Sequence, residues 1–109
     1  MNELLNHREW QIIIQALLDG EGYPKTDEIK GFLGFSGRDM RSLMERLIAD
    51  HDCALTNIDK QMIVNCVDGA IHYVDTDIPS LYDISANELR VFKECLEARW
   101  NVRSTYRRV

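Results

Sequence analysis

The stretch Leu33-Gly34-Phe35-Ser36 constrains this chain most, because it separates two helical patterns by a turn of only about three residues. Before it, Thr26 is a good N-cap, and Asp27 and Glu28 bring the negative charge that a helix N-terminus favours. Ile29, Phe32 and Leu33 then face one way, and Gly34 supplies the left-handed conformation that ends a helix abruptly. Ser36 caps the following helix with Asp39 as its reciprocal partner, while Phe35 and Met40 are spaced as a hydrophobic staple. From Gly37 to about Asp50, Met40, Leu43, Met44, Leu47 and Ile48 share one face, and Arg38, Arg41, Ser42, Glu45 and Ala49 share the other. So short a link cannot lay two helices side by side, and they are expected to cross steeply.

Upstream, Trp10, Ile13, Ile14, Leu17 and Leu18 recur at helical spacing between Arg8 and Asp19, and Gly20 is placed to end that helix. Downstream the pattern reads differently. Cys53 to Ile58, Met62 to Val67 and Ala70 to Val74 are rich in strand-forming residues, with Asp68-Gly69 as a hairpin turn of type I′. Asp75 to Asp83, with Pro79, reads as a connecting loop. Ser85 and Glu88 then form a capping box with Ile84 and Leu89 as staple, opening a last helix lined by Leu89, Phe92, Leu96 and Trp100. Beyond Glu97 no acidic residue follows, and the basic tail reads as an arm or a solvated helix end.

Ile29, Leu33, Phe35, Met40 and Leu43 fall where the helix-turn-helix motif keeps apolar residues, and Gly34 falls on its turn glycine. The chain thus resembles that family, departing from it at Lys30, where a small residue is usual. With the hairpin as a wing, the resemblance extends over roughly residues 8 to 75 to winged helix-turn-helix proteins, in particular small regulators of phage and mobile elements. It implies an α+β, mainly helical fold of three helices, a β-hairpin wing and an additional C-terminal helix. Residues 1–84 would form the core, and residues 85–109 a helix and basic tail packed on or extending from the same domain. It also implies double-stranded DNA as partner, with Arg38, Arg41 and Ser42 in the major groove and Arg46 on a flanking phosphate. Arg99, Arg103, Arg107 and Arg108 would add backbone contacts.

Charge opposes that expectation. The net charge is -5, whereas binding to a polyanion draws most of its affinity from Lys and Arg. Residues 50–89 hold one basic and eight acidic side chains, and residues 90–109 hold six basic and two acidic. Asp50, Asp52, Asp59, Asp68, Asp75 and Asp77 would surround the wing and repel phosphate within about one Debye length, roughly 8 to 10 Å. The alternative is therefore a protein-binding module, an inhibitor or adaptor meeting a basic protein surface through an acidic wing. A homodimer through Leu89, Phe92, Leu96 and Trp100 of the last helix is a third possibility.

Catalysis is not expected, because no nucleophile and base, phosphate loop or metal cluster stands at a meaningful spacing. No cofactor or metal is implied. Cys53, Cys66 and Cys95 fit neither a disulfide framework nor paired zinc ligands and read as reduced, mostly buried thiols. His7 and His51 read as surface helix ends and His72 as a hairpin face. Without a signal peptide or an apolar run of about 18 residues, a cytoplasmic location without membrane contact is expected.

Overall fold

The structure is a computed structural model that describes residues 6–22, 34–50 and 52–106. They form α1 (His7–Gly22), α2 (Gly37–Ala49), α3 (Asn57–Tyr73), a single 3₁₀ turn (Asp75–Asp77), the short α4 (Ile78–Tyr82) and α5 (Ala86–Trp100). The expected Thr26 to Leu33 helix, and with it the steep crossing, lies outside the described residues. Gly34 has φ +80°, the left-handed conformation expected of it.

Among the described residues there is no strand, so the wing is corrected to a helix. Met62 to Val67 and the Asp68-Gly69 turn fall inside α3, Ala70 to Val74 runs up to its C-cap, and of Cys53 to Ile58 only Asn57 and Ile58 are helical. The start of α3 is fixed by a reciprocal capping box: Thr56 Oγ1 accepts from the Asp59 amide, and Asp59 Oδ2 accepts from the Thr56 amide, both at 3.0 Å. Every residue from Met62 to Ile71 is buried. A helix covered on all sides has no solvent-facing side to display its period, so its β-branched runs imitate strands and Asp68-Gly69 imitates a turn. Burial outweighs the roughly 1 kcal/mol that an internal glycine costs a helix relative to alanine. The α+β winged architecture is thus replaced by a helical one.

The acidic wing dissolves with it. Asp59 and Asp68 are buried acceptors, at 4% and 6% exposure. The expected loop from Asp75 to Asp83 is the 3₁₀ turn and α4, with Pro79 in the first turn, where its missing N–H is harmless, and Asp83 in the left-handed conformation at φ 58°.

The capping boxes of Ser36 with Asp39 and Ser85 with Glu88 open α2 and α5 as expected. Helix α3 is the axis of the molecule, with α1 packed on both α2 and α3, and α5 on α3. Ile13, Leu17, Met40, Leu43, Leu47, Ile63, Val64, Val67, Leu89 and Leu96 are fully buried in one core. Of the residues expected to carry a dimer through the last helix, Leu89, Leu96 and Trp100 are buried in the chain's own core and Phe92 is half-buried against it. No helix among the described residues is long and apolar enough to cross a membrane.

Candidate interaction face

Helix α2 turns Met40, Leu43 and Leu47 inward and leaves Arg38, Arg41, Ser42, Glu45, Ile48 and Ala49 exposed. Ile48 is the departure from the expected division, because it stands 58% exposed instead of joining the core. The arginines on this helix do not form one basic surface. Arg41 pairs with Glu21 at 2.7 Å through two nitrogens, not with Glu45 one turn away. Arg46 reaches the opposite flank and grips Asp59 at 2.7 and 3.2 Å. Burial pushes the Asp59 carboxyl up, but the Arg46 and Thr56 hydrogen bonds outweigh it and hold the group below its ordinary range. Among the described residues, Arg38 is the α2 arginine without a carboxylate partner.

The other expected contacts are scattered too. Arg99 pairs with Glu9 of α1 at 2.8 Å. Burial raises the Glu9 carboxyl, and hydrogen bonds from Arg99 and the Asn6 amide bring it below its usual value. Arg103 is exposed, and Arg107 and Arg108 lie outside the described residues.

Two contacts fix how α1 meets α2. Trp10 Nε1 donates to the Leu47 carbonyl at 3.0 Å, and Glu21 bonds Arg41 and lies beside Gly37. The start of α1 therefore meets the end of α2, so the two helices are antiparallel. Trp10, Ile14, Leu18 and Glu21 follow one another at steps of four, four and three along the α2-facing edge of α1. Gly37, Arg41, Met44 and Ile48 do so at four, three and four along the facing edge of α2. These edges are the two lips of a seam. Trp10, Ile14 and Met44 are half-buried in it, while Leu18, at 44% exposure, and Ile48 stand out from it. The Arg41–Glu21 ion pair closes one end.

On the far side of α3 a second arrangement was not anticipated. Residues 102–106 run neither as an arm nor as a helix end, but as an irregular segment bonded to both α3 and α5. Gln61 Nε2 donates to the Arg103 carbonyl at 2.8 Å. Asn65 accepts the Thr105 amide and donates to its hydroxyl, both at 2.9 Å. The Ser104 hydroxyl donates to Asp68 at 2.6 Å and its amide to Glu97 at 2.8 Å, while Lys93 sits 3.9 Å from Asp68 and 3.7 Å from Glu97. His72 meets the Tyr106 ring edge-on at 5.4 Å. Gln61, Asn65, Asp68 and His72, at steps of four, three and four, thus form one polar stripe on an otherwise apolar helix.

Other features hold less chemistry. A shallow cleft of about 440 Å³ lies beside Arg8, Gln11, Gln15 and Tyr82. There Arg8 donates to the carbonyls of Tyr82 and Asp83 at 3.2 and 2.7 Å. Tyr82 donates to Asp19 at 2.7 Å, and Asp19 titrates high because burial outweighs that bond and one from Gln15. The cysteines are free, with Cys66 buried, Cys53 half-buried and Cys95 exposed, so only one matches the expected burial fully. Burial drives the Cys66 thiol strongly upward, so it is no nucleophile. No group of three or more potential metal ligands occurs among the described residues. No family model, curated protein or solved structure matched the chain when it was compared with them.

Proposed function

We propose that this chain is a protein-interaction module that meets its partner through the outer lips of α1 and α2. The observation that carries the reading is the make-up of the outward face of α2. It offers Ile48 and Glu45 beside Arg38, while Arg41 and Arg46 are held in ion pairs with α1 and α3. A DNA contact would need those guanidiniums free for phosphate and guanine, and would bring the Glu45 carboxylate and an isoleucine into the groove. A protein contact instead favours large apolar side chains and arginine at its centre. Leu18 extends the same apolar lip on α1.

The experiment compares two ligand classes on one set of variants. Leu18→Glu and Ile48→Glu retain the wild-type helical circular dichroism, as expected for exposed positions, and lose the stoichiometric protein partner that wild type retains. Duplex DNA titrated at low salt shows only weak binding that Arg38→Ala leaves unchanged in sequence preference. Tight sequence-preferring DNA binding that Arg38→Ala removes would overturn the protein reading and return α2 to the groove.

A further inference from the structure

We infer that Gln61, Asn65 and Asp68 of α3 and Glu97 of α5 form a peptide-binding groove that the chain's own residues 102–106 hold shut. Its ligand is a short, basic, non-helical segment of a partner protein with Ser or Thr at its centre. This site is separate from the α1/α2 lips and does not depend on them.

The groove reads main chain first. Gln61 donates to the Arg103 carbonyl, Glu97 accepts the Ser104 amide and Asn65 accepts the Thr105 amide, and none of these bonds requires a particular side chain on the segment. Selectivity comes from the hydroxyls, since Ser104 donates to Asp68 and Thr105 accepts from Asn65. Val102, Ser104 and Tyr106 are half-buried, whereas Arg103 and Thr105 are exposed. An apolar residue, a small hydroxyl and an aromatic ring at alternate positions are therefore what the groove accepts. Charge fits a basic ligand: Asp68 and Glu97 outnumber Lys93 beside them, and residues 102–109 carry three arginines and no acidic side chain.

The resident segment is a replaceable occupant. Asp68 Oδ1 is buried and takes no hydrogen bond among the described residues, with Lys93 Nζ 3.9 Å from it. Buried acceptors are ordinarily satisfied, so the segment leaves part of the groove floor unfilled. It also reaches the groove only by turning back at Asn101, a non-glycine residue at φ 53°, a conformation such residues seldom adopt. A cleft of about 400 Å³ lies beside that turn, lined by Glu97, Ala98, Asn101, Val102 and Arg103. A peptide arriving from another chain enters past this cleft and needs no such turn.

The probe is a fluorescent, acetylated peptide with the sequence of residues 102–109, titrated into the full chain and followed by anisotropy. Wild type binds it weakly, because its groove is open for only a small fraction of the time and the apparent affinity falls by that fraction. Full-length Asn101→Val, in which a β-branched residue cannot hold the turn, binds it about tenfold tighter or more. Binding shifts the resonances of Asn65 and Asp68 and leaves those of Leu18 and Ile48 in place. In the peptide, Ser104→Pro removes the amide and the hydroxyl that Glu97 and Asp68 accept, and abolishes binding, whereas Arg103→Ala at an exposed position weakens it only slightly. If the Thr105 amide of Asn101→Val still exchanges slowly, Ser104→Pro in the full chain frees the segment and the same titration decides. A freed groove that leaves the peptide unbound, or that takes a scrambled peptide of equal charge as tightly, overturns the proposal.

Discussion

Arg46 holds Asp59 with two terminal nitrogens, yet its own side chain is 48% exposed while that of Asp59 is 5% exposed. One half of the pair is wet and the other is not. The guanidinium that looks available for phosphate therefore locks the end of α2 to the start of α3. Asp59 simultaneously closes the Thr56 capping box, so one carboxylate serves a helix start and an interhelical tie.

Arg46→Ala should consequently destabilise the fold at pH 7 by about 1 to 3 kcal/mol, less than for a fully buried pair because water screens the exposed guanidinium. Asp59 titrates below its ordinary value in the folded chain. Its contribution is present above the unfolded carboxylate value, about 3.9, and is lost as pH falls through the lower folded value. Urea unfolding at neutral and acid pH should show the gap between wild type and variant closing below about pH 4. An equal gap at acid pH would mean that Arg46 acts by packing alone.

Thr56→Ala should shorten or fray α3 and cost about 1 kcal/mol, the usual loss for an N-cap. Backbone chemical shifts of wild type should be helical without interruption from Asn57 to Tyr73, through Asp68 and Gly69. Strand-type shifts at Met62 to Val67 with a turn at Asp68-Gly69 would restore the hairpin.

The contrast between α2 and α3 explains what could be read beforehand. Helix α2 has one wet face and a Ser36–Asp39 capping box, so its period and start are visible, as are those of α5 with Ser85 and Glu88. Helix α3 has the same kind of box at Thr56 and Asp59, but the run after it is apolar nearly all round, and without a polar face the period of a helix is hidden. Two clues were available: the Thr56–Asp59 box itself, and the stripe Gln61, Asn65, Asp68 and His72, whose steps fit a helix and not an alternating strand. The arginine pairings were less accessible. Glu21 lies 20 residues from Arg41, and Glu9 lies 90 residues from Arg99, distances at which only the folded chain decides who meets whom.

Leu43→Ala and Leu47→Ala should each cost about 2 to 5 kcal/mol, since both side chains are fully buried at the junction of α2 with the core. Ile48→Ala, one residue beyond Leu47 and exposed, should stay within about 0.5 kcal/mol. Thermal or urea unfolding of the three variants measures this difference directly. A large loss at Ile48 would mean that the lip belongs to the core, and that its exposure is no argument for a contact surface.

Asn101 is the residue on which the C-terminal segment turns back. It sits in the left-handed conformation at φ 53° and ψ 46°, where asparagine is tolerated, glycine is unstrained and a β-branched residue is strongly disfavoured. Asn101→Gly should therefore leave the fold intact, changing stability by less than about 1 kcal/mol, because relief at φ > 0 is set against greater freedom of the unfolded chain. Asn101→Val should push the position toward ordinary helical or extended backbone and aim the following residues away from Gln61, Asn65 and Asp68. The Ser104 and Thr105 amides, bound to Glu97 and Asn65, then exchange with solvent much faster, while amides in the middle of α3 keep their protection. Val102 and Tyr106 also leave the core they partly cover, so a stability loss of roughly 1 to 3 kcal/mol accompanies the change. Slow exchange at Ser104 and Thr105 in Asn101→Val would show that the polar stripe of α3 holds the segment without help from the turn.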